Sequence, residues 1–499
     1  MSGLGDYERQ DAVGLAQRVR AGDATPDALL AAATLRLEAR DAAINAVPIR
    51  MLEAESAVRA KFDSHGYADA RVRSSVTREA DRVHVEFELV PGTPKRLHSI
   101  EILGAQSTRE NVIKRALQLE PGELISRDAL LRSQHELYRT GVFSNVRLTT
   151  DPAAVGEEGD AAEPQVLTVR VEEARPLATS VGIGYDSEGG ERISFSASHQ
   201  NIGGRNRILS LQGHASDILT RVQFIGEAPH LFGRKDPVLV NLSVEDRDEI
   251  GFKVLRRSAA IRFDRRWNRK WNSFTRYNYQ RVDLREIEDS LAVTEEKLEN
   301  LGLGDVGFTV VRDSRDDPLL PRRGTYGSLS TRLFAPAFGG EVAMLKTQMT
   351  VSWVHTFSNQ ITLASGMRLG LAEPFGVSER VPLSERFFAG GDSTVRGFGR
   401  DELGPMTDGL PAGGESMFIF NQEFRFPLFG PLRGNLFYDA GNIYPTIEDF
   451  DVTDIRHVLG IGLRYETAIG PLRLEYGRKL DREVGESDAE LFFAIGTAF

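Results

Sequence analysis

Apolar positions change period along this chain, and the changes divide it. Near the start they fall at helical spacing. Ala12, Leu15, Ala16 and Val19 keep the i, i+3, i+4, i+7 rule. Thr25 and Pro26 read as an N-cap and a first-turn proline, opening a helix with Leu30, Ala33 and Leu37 on one side. A third helix carries Met51, Ala54, Val58 and Phe62 and stops near Gly66. Beyond it, Val83, Val85, Phe87 and Leu89 alternate with His84, Glu86 and Glu88, the pattern of a half-buried strand. A more regular unit follows. Residues 97–102 form a strand, and Ser107 with Glu110 reads as a capping box opening a helix through about Leu119. Pro121-Gly122 interrupts. Ser126 caps a second helix bearing Leu130, Leu131, Leu137 and Tyr138, closed by Gly141. Residues 143–148 form a strand, and after an acidic loop (151–164) Leu167, Val169 and Val171 mark the last one. The order β-α-α-β-β predicts a small sheet with two helices on one face. Its edge near Val166–Val171 is expected either to pair with other chains or to serve only as a spacer.

After Pro176 the period becomes two and stays so to the last residue, with Gly, Asn and Asp as punctuation; Ile193, Phe195 and Ala197, or Phe493, Ile495, Thr497 and Phe499, are examples. Sixteen strands over residues 177–499 allow about 20 residues per strand and connection, room for transmembrane strands of about 10 residues with turns. Gly430-Pro431-Leu432-Arg433 and Gly470-Pro471-Leu472-Arg473 repeat one hairpin period apart. A sandwich array or propeller is the soluble alternative. Uninterrupted alternation and the lack of blade-length repeats favour the barrel.

Composition removes several functions. The 61 Lys and Arg against 72 Asp and Glu leave a net charge of −11, unsuited to general nucleic-acid binding. Cysteine is absent, which excludes disulfides, cysteine nucleophiles and thiolate metal sites. Nine histidines show no ligand spacing, so no metal is expected, and Gly203-Gly204 and Gly390-Gly391 lack the lysine and hydroxyl of a phosphate loop, so no cofactor is expected either. Asp316-Asp317, beside Pro318, reads as turn chemistry rather than an acid/base pair. No run of 18 apolar residues is present, and the opening residues show no basic n-region followed by an apolar stretch; no secretory signal is read there, which would leave the chain as written inside the cell.

Residues 95–173 resemble a POTRA (polypeptide-transport-associated) repeat, carried by Leu137-Tyr138-Arg139-Thr140-Gly141-Val142-Phe143-Ser144-Asn145-Val146. Leu137, Tyr138, Gly141, Phe143 and Val146 are its key positions, with leucine and tyrosine packing the second helix. Residues 51–92 resemble the trailing part of another repeat. Residues 177–499 resemble the surface-antigen barrel of outer-membrane protein assembly factors of the BamA and TamA type, with wording nearer TamA. The motifs run in order through Gln200–Arg205, Asp313–Gly324, Arg386–Phe398 and Phe437–Asn442. Asp11–Ala16, Arg20–Pro26 and Asn45–Val47 resemble the opening helices of amidase-signature enzymes, but the Gly/Ser-rich nucleophile loop does not follow, so acyl transfer has no chemistry and no catalytic residue is assigned. The expected organisation is a helical amidase-like leader, read as a non-native fusion (1–50), a partial POTRA repeat (51–93), a POTRA repeat (94–176) and a 16-stranded transmembrane antiparallel β-barrel (177–499), a mixed fold with α+β repeats.

The resemblance implies a non-enzymatic outer-membrane protein that helps insert or translocate unfolded outer-membrane proteins, with its POTRA part periplasmic, in contact with membrane lipid and with a periplasm-spanning or lipoprotein partner. An export pore for one dedicated client is the alternative. It also implies a lumen loop, Val395-Arg396-Gly397-Phe398, whose arginine meets Asp439 on the barrel wall, with Glu423 as second candidate; a reciprocal Arg396/Asp439 exchange is expected to restore some function. A weak seam is expected between the first strand, loosened by Gly182 and Gly184, and the last, ending at Phe499.

Overall fold

The computed structural model describes residues 46–67, 69–79, 82–154, 162–229, 231, 236–291, 300–318, 321–357, 360–467 and 470–495. Most of the amidase-like stretch, and Phe499, lie outside them. The chain divides into two units, Met1–Ala174 and Arg175–Phe499.

In the first unit, helix α1 (Ala46–Asp63) runs across residue 50, and β1 (Arg71–Glu79) pairs antiparallel with β2 (Arg82–Val90) as a two-stranded ribbon. Val85 and Phe87 are exposed there, so the alternation read as a half-buried strand does not bury these two side chains, while Glu55 of α1 accepts from the Ser74 amide of β1 at 2.7 Å. Next come β3 (Lys95–Leu103), α2 (Glu110–Ala116), α3 (Arg127–Arg139), β4 (Phe143–Pro152) and β5 (Glu163–Glu173). Leu97, Ile113, Leu137, Phe143, Val146, Leu167 and Val169 close one apolar core between helices and sheet.

Three expectations are corrected here. First, β5 is the central strand: the order is β3-β5-β4, with β5 parallel to β3 and antiparallel to β4. Residues 166–171 therefore have neighbours on both sides and offer no free edge. Second, α2 begins at Glu110 and ends at Ala116, and Ser107 does not cap it. The Ser107 hydroxyl and the Ser107 and Thr108 amides donate to Glu173 instead, tying the helix approach to the end of β5. Third, Tyr138 and Leu131 are exposed, and Tyr138 contributes through its hydroxyl, which accepts from the Val146 amide at 3.0 Å. Ser126 caps α3 by accepting from the Ala129 amide, and Gly141 follows that helix at φ 70°.

The second unit is a closed barrel of 16 antiparallel strands. They are β6 (Leu177–Asp186), β7 (Gly190–His199), β8 (Ile208–Ala215), β9 (Leu219–Ala228), β10 (Val238–Glu249), β11 (Phe252–Arg266), β12 (Trp271–Arg285), β13 (Asn300–Asp313), β14 (Arg323–Phe334), β15 (Met344–Thr356) and β16 (Thr362–Pro374). A long connection, 375–415, holds the short pair β17 (Met406–Thr407) and β18 (Leu410–Pro411). Then β19 (Ser416–Phe429), β20 (Leu432–Tyr444), β21 (Arg456–Thr467), β22 (Gly470–Lys479) and β23 (Ala489–Ile495) complete the ring.

Alternation is inverted relative to a soluble sheet. Val181, Ile183, Leu242, Val244, Leu459, Ile461 and Leu491 point outward and are exposed, while Glu245, Asp305, Lys346, Asp439, Glu475 and Lys479 point inward and are buried. That is the arrangement a lipid solvent selects, because closure leaves no unpaired backbone edge in hydrocarbon. No helix among the described residues is long and apolar enough to cross a membrane. The Asp313–Gly324 segment is the β13–β14 turn, where Asp316 accepts from the Arg322 and Arg323 amides and Arg315 grips Asp313.

Candidate functional site: the lumen loop and the seam

The 375–415 connection enters the barrel. Val395 and Phe398 are fully buried in an apolar cluster that also takes in Phe437 and Val458 from the wall. Arg396 is 5% exposed and Asp439, on β20, is 0% exposed. The guanidinium grips that carboxylate with both arms: Nε donates to Oδ2 at 2.8 Å and Nη2 to Oδ1 at 2.9 Å, while the Arg396 amide donates to Oδ2 at 3.0 Å. Nη1 donates to Glu423 on β19 at 2.5 Å and to Glu475 on β22 at 3.4 Å. The guanidinium lies 3.7 Å from the Phe437 ring centroid. Asn421 bridges loop and wall, donating to the Thr394 carbonyl and to Asp439.

The backbone fit is as tight as the charge fit. Gly397 has φ 127°, and a Cβ there would lie 2.8 Å from Val458 Cγ1; a Cβ on Gly477 would lie 2.3 Å from the Arg396 carbonyl oxygen. Two glycines therefore let loop and wall meet.

Glu475 was not foreseen. Its signal was present in the alternation of β22, where Leu474 and Tyr476 face outward and Arg473, Glu475, Gly477 and Lys479 face inward, but parity alone does not say which inward carboxylate the loop reaches.

A second anchor lies earlier in the loop. Glu385 is buried; it accepts from Gln280 at 2.7 Å, Lys346 at 3.1 Å and Arg332 at 3.2 Å, and Lys346 also donates to its carbonyl at 2.6 Å. Burial alone would raise its pKa, but Lys346, Arg332 and Arg256 hold the carboxyl far below the usual range. Arg332 also grips Asp305. The loop is thus pinned to the β12–β15 wall and, eleven residues on, to the β19–β22 wall.

A third contact ties the loop to the start of the barrel. Glu188, in the β6–β7 turn, accepts from the Asp392 amide at 3.0 Å, and Arg473 donates to Asp392 at 3.1 Å. Burial, then the adjacent Asp392 carboxylate, pushes the Glu188 pKa up to about 7.

Glu188 sits beside the seam. Among the described residues, β6 and β23 are opposed only at Asp186 with Ala494 and Tyr185 with Ile495, supplemented by the Ser187 amide donating to the Phe493 carbonyl. On its other side β6 pairs with β7 from Leu177 to Asp186. Val181 and Ile183 are 74% and 82% exposed. Gly184 stands where a Cβ would lie 3.1 Å from the Ile495 carbonyl oxygen, so it is the residue that admits the last strand; Gly182 faces Ser194 of β7.

Residues 201–499 match the Omp85 superfamily domain. The chain belongs to the Omp85 superfamily. Residues 95–174 match the surface antigen variable number repeat, the POTRA unit. The chain is 26% identical over 459 residues to outer membrane protein assembly factor BamA of Nitratidesulfovibrio vulgaris, covering 88% of this chain and 56% of that relative. It is 25% identical to the sorting and assembly machinery component 50 homolog of Xenopus tropicalis, covering 73% of this chain and 81% of the relative. The crystal structure of BamA from Haemophilus ducreyi lacking POTRA domains 1–3 superposes with a TM-score of 0.78 at 19% identity, over 90% of this chain and 94% of that one, and shows the shared fold. The chain thus spans little more than half the length of the bacterial relative.

Proposed function

We propose that this Omp85 protein sits in the outer membrane and assists insertion of other outer-membrane proteins through the β6–β23 seam, with its POTRA unit in the periplasm. The carrying observation is that, among the described residues, β6 opposes β23 at two positions and β7 at all ten of its own. An under-paired strand edge presents unsatisfied N–H and C=O groups, and an incoming strand satisfies them without exposing backbone to lipid. No ATP is needed, since each new hydrogen bond replaces one already required. The lumen loop is the brace in this reading: its anchors on both walls and at Glu188 keep the ring in shape while the seam opens. The chemistry is non-catalytic. The POTRA unit serves clients or a periplasmic partner through strand β4, the outer strand opposite β3 in its sheet.

The test uses the absence of cysteine. In Tyr185→Cys/Ile495→Cys the two residues are directly opposed, within the Cα separation that a disulfide spans. Reconstituted in lipid vesicles, the wild-type chain is expected to speed folding of an unfolded barrel client. The oxidised double variant should lose that acceleration and regain it on reduction. Full activity in the oxidised form would refute the seam reading.

A further inference from the structure

Beneath the loop anchor, inside the barrel, lies a cavity of about 720 Å³. Among the described residues it is lined by eight arginines and four carboxylates. In a chain of net charge −11 this is a local reversal of sign. The register sharpens it. Arg433 on β20, Arg464 on β21 and Arg473 on β22 are directly opposite one another across adjacent strands. All three stand at inward positions, since Leu436, Leu463 and Leu474 mark the exposed outward parity of those strands. Like charges placed directly opposite destabilise a sheet. Arg473 is relieved by Asp392 at 3.1 Å. Arg464 has no carboxylate within salt-bridge distance among the described residues, because the acids nearest it are engaged elsewhere: Glu423 by Arg396 and Arg425, Glu475 by Arg396. Arg368, across the cavity, donates among the described residues to the Ser393 carbonyl of the loop.

We infer that this vestibule is an anion site, and that its ligand is an acidic segment of extended polypeptide held on Arg464 and Arg368. The row from Arg433 to Arg473 covers two strand spacings, about 10 Å, comparable to the reach between carboxylates two or three residues apart in an extended chain. The remaining wall mixes Ser352, Ser365 and Ser393 with Ile218, Leu219 and Val354. The polypeptide nature of the ligand rests on the assembly reading above; the anion site does not.

The test is calorimetric titration of the full chain, refolded in zwitterionic detergent, with a decapeptide of alternating Glu and Ser. A Gln–Ser peptide and inorganic phosphate are the controls. Saturable binding of the Glu–Ser peptide is expected, weakening steeply as NaCl rises from about 0.05 to 0.5 M. Arg464→Gln should weaken it about five- to tenfold and Arg464→Lys by about twofold, because the lysine keeps the charge but loses the bidentate fork. Arg464→Gln removes a repulsion, so the barrel should still show its heat-dependent gel shift; Arg368→Gln is the second variant. No binding by a barrel that shows that shift, equal binding of the Gln–Ser peptide, or equal competition by phosphate each overturns the proposal. A chain that speeds client insertion but ignores the peptide overturns this inference alone. One that binds the peptide without speeding insertion supports the anion site and removes the assembly reading.

Discussion

Removing the Arg396 side chain tests the loop anchor most directly. In Arg396→Ala, Asp439 is left fully buried with only Asn421 donating to it among the described side chains, Glu475 loses its loop partner, and Glu423 retains Arg425. Breaking one side of a buried ion pair costs about 3–5 kcal/mol. Loss of the Phe437 contact adds to this, and the buried Val395 and Phe398 resist undocking. A net cost of about 3 kcal/mol raises the undocked population roughly 150-fold. Asp439→Asn is milder, about 1–3 kcal/mol, because the amide keeps an acceptor while Glu423 and Glu475 still face the guanidinium. The assay is the rate of tryptic cleavage between residues 375 and 415 in detergent, where Arg386 and Arg400 remain as sites in both variants. When opening is fast relative to cleavage, the rate follows the open population. Arg396→Ala should be cut about a hundredfold faster and Asp439→Asn by an intermediate factor. Wild-type rates in both variants would refute the anchor. The reciprocal Arg396→Asp/Asp439→Arg exchange is expected to fail rather than rescue, because Glu423 and Glu475 would then repel the new aspartate at 396 and the Arg396 amide would lose its acceptor.

Glu385→Gln leaves Lys346 and Arg332 without that charge partner and should lower the midpoint of the heat-dependent gel shift, at a cost of about 3 kcal/mol; an unchanged midpoint would count against the second anchor. Gly477→Ala forces a Cβ against the Arg396 carbonyl and should mimic Arg396→Ala in the tryptic assay while leaving the charges intact; cleavage at the wild-type rate would show that the loop has room. The Glu188 contact should depend on pH. Its pKa is raised in the folded state, so its stabilisation is full below about pH 4.5 and is lost as pH rises through about 7. Discounted for partial solvent screening, this is about 1–2 kcal/mol. Hydrogen exchange at 187–189 and 391–393 should slow as pH falls across that window, after correction for intrinsic rates. Glu188→Gln should abolish the trend, and a trend persisting in that variant would exclude Glu188 as its source.

The sequence by itself determined the two-part architecture. Period-two alternation from residue 177 onward is enough for strands and favours a barrel, but only the closed ring shows that the acids and bases face inward and Val, Ile and Leu face outward. The order of elements in the POTRA unit and the glycine at 141 were equally legible, because caps and helix ends are local chemistry. Neighbour identity was not legible. The central place of β5 depends on which strand inserts between two others, and no alternation records that. Ser107 carried a capping signal, but Glu173, 66 residues away in the chain, competed for it and took both its hydroxyl and its amide. Arg396 and Asp439 stood out as residues, yet Glu475, Glu385 and Glu188 became its companions or co-anchors only through closure of the ring, which sets the register of sixteen strands at once. The row Arg433–Arg464–Arg473 has the same origin: three unremarkable arginines in the chain, brought face to face because antiparallel pairing places them opposite one another.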